Sequence, residues 1–257
     1  MDNVTTLQLA GDAQRNAERL TALGHPVPAA LTAAFELRDS VDLAADPGPV
    51  TDALADATTK NASDKLTRWI EQRTRYETLQ THRADIDDTL NRRILLAHQQ
   101  SAAEIFETCR DGFTKAAAEF AEAFAKMPDN WRDPNTLVRG GPAVVAQFQA
   151  AATAAGILDE YHAIRRATPG GNPLGQLPLG LEYADCSDSI VATEACRVRP
   201  GGPLGRWGDL LDLDGVTRLV WRTPAELAAA VRSLPVAEMR PVRAGIGVRL
   251  EKQVVRG

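Results

Sequence analysis

Apolar residues recur at three- and four-residue intervals from Asn61 to Met127. They run Leu66, Trp69, Ile70, Tyr76, Leu79, Ile86, Leu90, Ile94 and Ala97, then Ile105, Phe106, Cys109, Phe113, Ala117, Phe120 and Phe124. That spacing lines one face of a helix. No proline interrupts the run and Gly112 is its only glycine. The pattern therefore predicts one helix over about 61–127, roughly 100 Å long at 1.5 Å per residue. Acid-to-base pairs four residues apart support it: Asp64/Arg68, Glu71/Arg75, Asp88/Arg92, Asp111/Lys115 and Glu122/Lys126. Asn61 is placed to cap its start, and Pro128 stops it. The stripe is coiled-coil-like without being a clean heptad. Arg83 interrupts the Trp69–Tyr76–Leu90–Ala97 ladder, and the steps lengthen to four through Ile94, Ala97, Ser101 and Ile105. Such drift favours packing against helices of the same chain or of other subunits over a long two-stranded coil.

Periodicity on either side predicts shorter elements. A helix over 5–23 buries Leu9, Ala10, Ala13, Ala17, Leu20 and Leu23, and a second runs from Pro28 to Ala45. A short piece over 50–58 leads into the long helix. Each is roughly 15 to 30 Å long, too short to cover the whole stripe. After a turn-rich stretch at 128–134 come a helix over 142–155 and further turns to Ala167. Residues 169–215 are dominated by glycine and proline, with an imperfect echo of PGGNPLGQL (169–177) in PGGPLGRW (200–207) around a small β element at 189–198. Val216–Arg222 alternates as a strand. Thr223-Pro224-Ala225-Glu226 is a capping box that opens a helix to about Leu234, and Ile246, Val248 and Leu250 alternate in a last strand. The expected fold is mainly α: a helical region (1–134) built on the long helix, short helices (135–168), an extended region (169–215) and a small basic strand–helix–strand module (216–257).

Composition narrows this little. A hydrophobic fraction of 44% with 25% charged residues is that of a soluble globular chain of 257 residues. Nowhere do eighteen apolar residues follow one another, so no membrane span is expected, and the N-terminus lacks the basic start of a signal peptide. Synthesis in the cytoplasm follows as an expectation. The three cysteines, Cys109, Cys186 and Cys196, form no CxxC and read as reduced thiols, although a hairpin would allow Cys186 and Cys196 to pair.

Charge changes the picture more. Residues 1–134 hold 22 acids and 15 bases, net −7, whereas residues 215–257 hold eight bases and three acids, net +5. Opposite signs on two regions allow one copy to dock head to tail on another. The basic set includes Arg218, Arg222, Arg240, Arg243 and Arg249, expected to meet an anionic partner. Nucleic acid is the less favoured one, because Trp221 is the only aromatic among them and the chain is acidic overall.

Candidate chemistry is sparse. His25, His82, His98 and His162 sit in no HExxH or Cys/His cluster, and no GxSxG, Walker A or GxGxxG motif is present. The glycine-rich loops lack a lysine or hydroxyl placed for phosphate. Asp85, Asp87 and Asp88 would need oxygens from other segments to hold a metal. Asp209, Asp212 and Asp214 lack the later glutamate of a calcium loop. No catalytic, cofactor or metal residue is therefore expected. The expected function is a non-enzymatic structural protein, a homo-oligomer or part of a large particle such as a bacteriophage head, neck or tail. Its helix-packing residues would be Trp69, Tyr76, Ile86, Leu90, Phe106, Phe113 and Phe120. The alternatives are a nucleic-acid-associated protein using the C-terminal arginines, and an enzyme with a scattered site around Asp85 or Cys186.

Overall fold

The computed structural model describes residues 3–42, 44–171, 182–186, 195, 204–233, 237–243 and 248–254. They form α1 (Asn3–Ala22), α2 (Ala29–Ser40), α3 (Val50–Leu54), α4 (Ala62–Gln100), α5 (Ala102–Phe124), α6 (Pro134–Arg139) and α7 (Gly141–Ala167). After these come β1 (Ala184–Cys186), α8 (Gly205–Leu211), β2 (Val216–Leu219), α9 (Pro224–Ser233), β3 (Ala237–Arg243) and β4 (Val248–Val254). The fold is mainly helical, built on a long helix, as its periodicity requires. The chain divides into two compact units, one of residues 1–17 and 27–101, the other of residues 18–26 and 102–257.

The expected 61–127 helix is divided at Ser101. Ser101 keeps helical dihedrals (φ −84°, ψ −3°) and its N–H still donates to the Ala97 carbonyl, yet α4 ends there after 39 residues, roughly 58 Å. The lengthened steps through Ile94, Ala97, Ser101 and Ile105 coincide with this boundary. Asn61 precedes α4 but does not cap it: its side chain accepts from the Thr58 N–H at 2.7 Å instead.

The first unit has a small, alanine-rich core. Ala10, Ala13 and Ala17 of α1 and Leu31 of α2 meet Ile94 and Ala97, with Val27, Ala34 and Phe35 packed at the edge. Within it, Asn16 Nδ2 lies 3.1 Å from His98 Nε2, both buried. Desolvation pulls His98 down to about 4, so its imidazole is neutral at pH 7. Elsewhere polar ties fasten the loop before α3 to α4. Trp69 Nε1 donates to the Gly48 carbonyl at 3.0 Å, Arg73 bridges Asp46 and Glu77, and Arg75 reaches Asp42.

The second unit has a large aromatic core. Helices α5 and α7 cross at Gly112, where an added Cβ would lie 2.0 Å from Tyr161 Oη and 2.8 Å from His25 Nε2. Those two atoms are themselves 2.7 Å apart, so the glycine is what lets the helices approach. Phe113 sits beneath, its ring centroid 5.3 to 6.0 Å from those of Trp221, Tyr183, Tyr161 and Trp207. Trp221 Nε1 donates to the Phe106 carbonyl at 2.9 Å, which ties the segment after β2 to α5. The capping box forms as expected: the Thr223 N–H donates to Glu226 and the Glu226 N–H to the Thr223 hydroxyl. Helix α7 is long and apolar enough to cross a membrane, but Ala151, Ala154, Ala155, Leu158, Tyr161 and Ile164 are buried in this core.

Strand pairing differs from the expected strand–helix–strand module. β2 pairs antiparallel with β1, Ala184 facing Leu219, and the last strand pairs with β3 in a separate hairpin. β3 escapes sequence reading because Pro241 lies in it. In a two-stranded ribbon both strands are edges, so the missing N–H is tolerated. The expected β element at 189–198 lies, apart from Ala195, outside the described residues, as do Cys196 and most of the two glycine–proline echoes.

Candidate assembly interface

The seven residues expected to pack the long helix separate into two groups. Phe106, Phe113 and Phe120 on α5 are 0 to 1% exposed, inside the second unit's core. Trp69, Tyr76, Ile86 and Leu90 on α4 are only half-buried. From Ala62 to Arg93 none of the described side chains is fully buried, and α4's buried residues are Ile94, Ala97 and His98 alone. Helices α2 and α3 pack along α4, but at 12 and 5 residues they span roughly 18 and 8 Å of it. Leu66, Ile70 and Leu96 of α4 are 39, 49 and 54% exposed, and Leu7 of α1 is 63% exposed. A groove of about 410 Å³ between α1, α2 and α4 is lined by Leu7, Arg38, Ala84, Asp87, Asp88, Leu90 and Asn91.

Two members of the acidic cluster, Asp87 and Asp88, line this groove, whereas Asp85 does not. Asp87 lies 3.8 Å from Arg83 and Asp88 lies 2.7 Å from Arg92. Asp209 and Asp212 hold the Arg132 guanidinium at 2.9 and 2.5 Å. Among the described residues no three His, Cys, Asp or Glu side chains converge as metal ligands.

The basic set is not a uniform patch. Arg218 pairs with Asp185 at 2.9 Å. Arg222 donates to the Ala184 carbonyl at 2.8 Å and is half-buried, and desolvation lowers its pKa. Both contact β1, Arg222 half-buried and Arg218 largely exposed. Arg240, Arg243 and Arg249 lie on the β3–β4 hairpin, where Arg240 is opposite Glu251 and Arg243 opposite Val248.

Sequence reasoning missed a polar centre in the second unit. Arg165 is fully buried, its guanidinium carbon 5.3 to 5.5 Å from the ring centroids of Trp221, Phe106 and Tyr183. One nitrogen donates to the Arg222 carbonyl, while Nε and Nη2 have no hydrogen-bond partner among the described residues. Glu182 is 1% exposed, and among the described residues neither carboxyl oxygen has a hydrogen-bond partner. Burial raises its pKa, against the pull of Arg165, Arg166 and Arg206. His162 Nδ1 lies 2.9 Å from the Tyr183 hydroxyl. Burial, reinforced by Arg206, Arg166 and Arg165, takes His162 down to about 3. A neutral imidazole of such low basicity is a poor general base at pH 7. The thiol of Cys109 is pushed up to about 12 by burial, far from a reactive thiolate. Nothing in the sequence marks Arg165 beyond its place in a basic pair near the end of α7, and Glu182 stands alone among apolar residues.

The class this geometry defines is a mainly helical protein with one well-filled unit and one thinly covered unit. Comparison with protein-family models, curated proteins and solved structures gives no match.

Proposed function

We propose that this is a non-enzymatic structural protein that associates with copies of itself through the α4 surface of its first unit. The observation that carries the reading is the stretch of α4 from Ala62 to Arg93, which buries no side chain fully and leaves Leu66 and Ile70 accessible. A helix so long gains stability mainly by packing its apolar face, and partly covered apolar side chains along such a helix leave room for a partner to complete the packing. A large particle, such as a bacteriophage head, neck or tail, is the setting in which repeated copies would supply the missing cover. Other structural proteins of that particle are its further partners.

Molar mass by light scattering after size exclusion, over a wide concentration range, tests this. A defined oligomer, or mass that grows with concentration, is expected. A monomer at every concentration would overturn it.

A further inference from the structure

Resting on the self-assembly reading, we infer that two copies pair about a two-fold axis through the groove between α2 and α4. Leu96 of each copy enters the groove of the other, and Arg93 of each meets Glu36 of the other. The groove has a volume of about 330 Å³, and six of its eight lining residues are apolar: Ala30, Ala33, Ala34 and Leu37 of α2, with Leu96 and Ala97 of α4. The α2 wall is the i, i+3, i+4, i+7 set of one helix face. Its alanines leave no long side chain to hold a second helix away, because the distance between packed helices is set by the side chains at the contact. On the α4 side, Leu96 is 54% exposed. One patch thus carries both an alanine-lined hole and a leucine to fill one, which is the self-complementarity that a two-fold contact requires.

Charge makes the same patch complementary to itself. Arg93 lines the groove on the α4 side. Leu31 of α2 meets Ile94 and Ala97 in the core, and Glu36 lies about 140° round α2 from Leu31, so Glu36 stands on the flank turned away from α4. Both Arg93 and Glu36 are exposed, and among the described residues neither has an ion-pair or hydrogen-bond partner. From one edge to the other the patch therefore reads base, apolar groove, acid. Leu37 lines the same groove as Arg93, and Glu36 directly precedes it, so the two charges lie at one level of the patch. A two-fold axis running along α2 lays the basic edge of one copy on the acidic edge of the other, twice over. Such a contact closes at two copies, and growth beyond a pair needs the rest of α4.

Charge exchange on the full-length protein tests this. Glu36→Arg sets two like-charge contacts in a pair of copies, and Arg93→Glu does the same with the opposite sign. Both positions are exposed, so circular dichroism should show unchanged helix. In light scattering after size exclusion, each single variant should pair at least about tenfold more weakly. Mixing the two single variants should restore pairing, because opposite charges then meet at both contacts. The double exchange in one chain should restore it too, and Leu96→Ser should weaken pairing with no change of charge. Single variants or Leu96→Ser that pair as the wild type does, or a loss that neither mixing nor the double exchange repairs, would overturn this contact while leaving self-assembly through α4 standing. A wild type that stays monomeric at every concentration would instead overturn the self-assembly reading itself.

Discussion

Helices α4 and α5 follow one another on a single run of apolar periodicity, yet they meet opposite fates. α5 buries eight of its 23 residues; α4 buries three of its 39. The difference lies in what the stripes are made of and what is near enough to cover them. The α5 stripe is phenylalanine at 106, 113 and 120, and α7, β2 and the tryptophans at 207 and 221 close over it. The α4 stripe mixes Trp69 and Tyr76 with Arg83, and it is met by short helices and polar ties to a loop. One helix is a core element that happens to be long. The other is a surface that happens to be helical.

The largest expected effect lies on the filled side. Phe113→Ala removes a ring that touches four other aromatic rings and should cost about 3–5 kcal/mol in denaturant unfolding. A loss below about 1 kcal/mol would mean that this core is looser than its packing indicates. Gly112→Ala should cost about 1–3 kcal/mol, because its methyl group would displace the Tyr161–His25 hydrogen bond.

Acid should separate two kinds of buried group. His98 and His162 have folded pKa values of about 4 and about 3 against 6.5 unfolded. Below pH 6.5 the unfolded chain therefore binds protons that the folded chain does not. Stability falls as pH drops from 6.5 towards 4 for His98 and towards 3 for His162, by about 1.4 kcal/mol per pH unit for each. Glu182 runs the other way: its folded pKa is raised above 4.5, so the unfolded chain loses its proton first. Stability from this group falls as pH rises from 4.5 through its folded value. Glu182→Gln should accordingly stabilise the protein at pH 7 in thermal unfolding, and a lower melting temperature would contradict a carboxyl whose charge is disfavoured by burial.

The smallest effect on folding is expected at α4. Ile70→Ser, at a half-exposed position, should shift unfolding by no more than about 0.5 kcal/mol, while weakening self-association measured by light scattering.

Much of this architecture is legible in the chain. The three-to-four spacing from Leu66 to Phe124 gives helices throughout, and Thr223 to Glu226 gives the start of α9 with its cap. The division at Ser101 is not legible, because the backbone there stays helical and keeps its bond to Ala97. The pairing of β2 with β1 joins residues thirty or more positions apart through Ala184, Asp185 and Cys186, too short a run to show alternation. The β3 strand is hidden by Pro241. Arg165 is the clearest miss. Its burial depends on Phe106, Tyr183 and Trp221 arriving from three distant segments, which no local pattern around residue 165 records. The arginines at 218 and 222 look alike in sequence, and only the fold shows that Arg222 is half-buried against the Ala184 carbonyl.

Hydrogen exchange followed by mass spectrometry, at low and high protein concentration, tests the contrast between the two helices most directly. Amides of α4 between Ala62 and Arg93 should exchange more slowly as concentration rises, while those of α5 remain protected throughout. If α4 exchanges at the same rate at every concentration, its uncovered face is not an assembly surface.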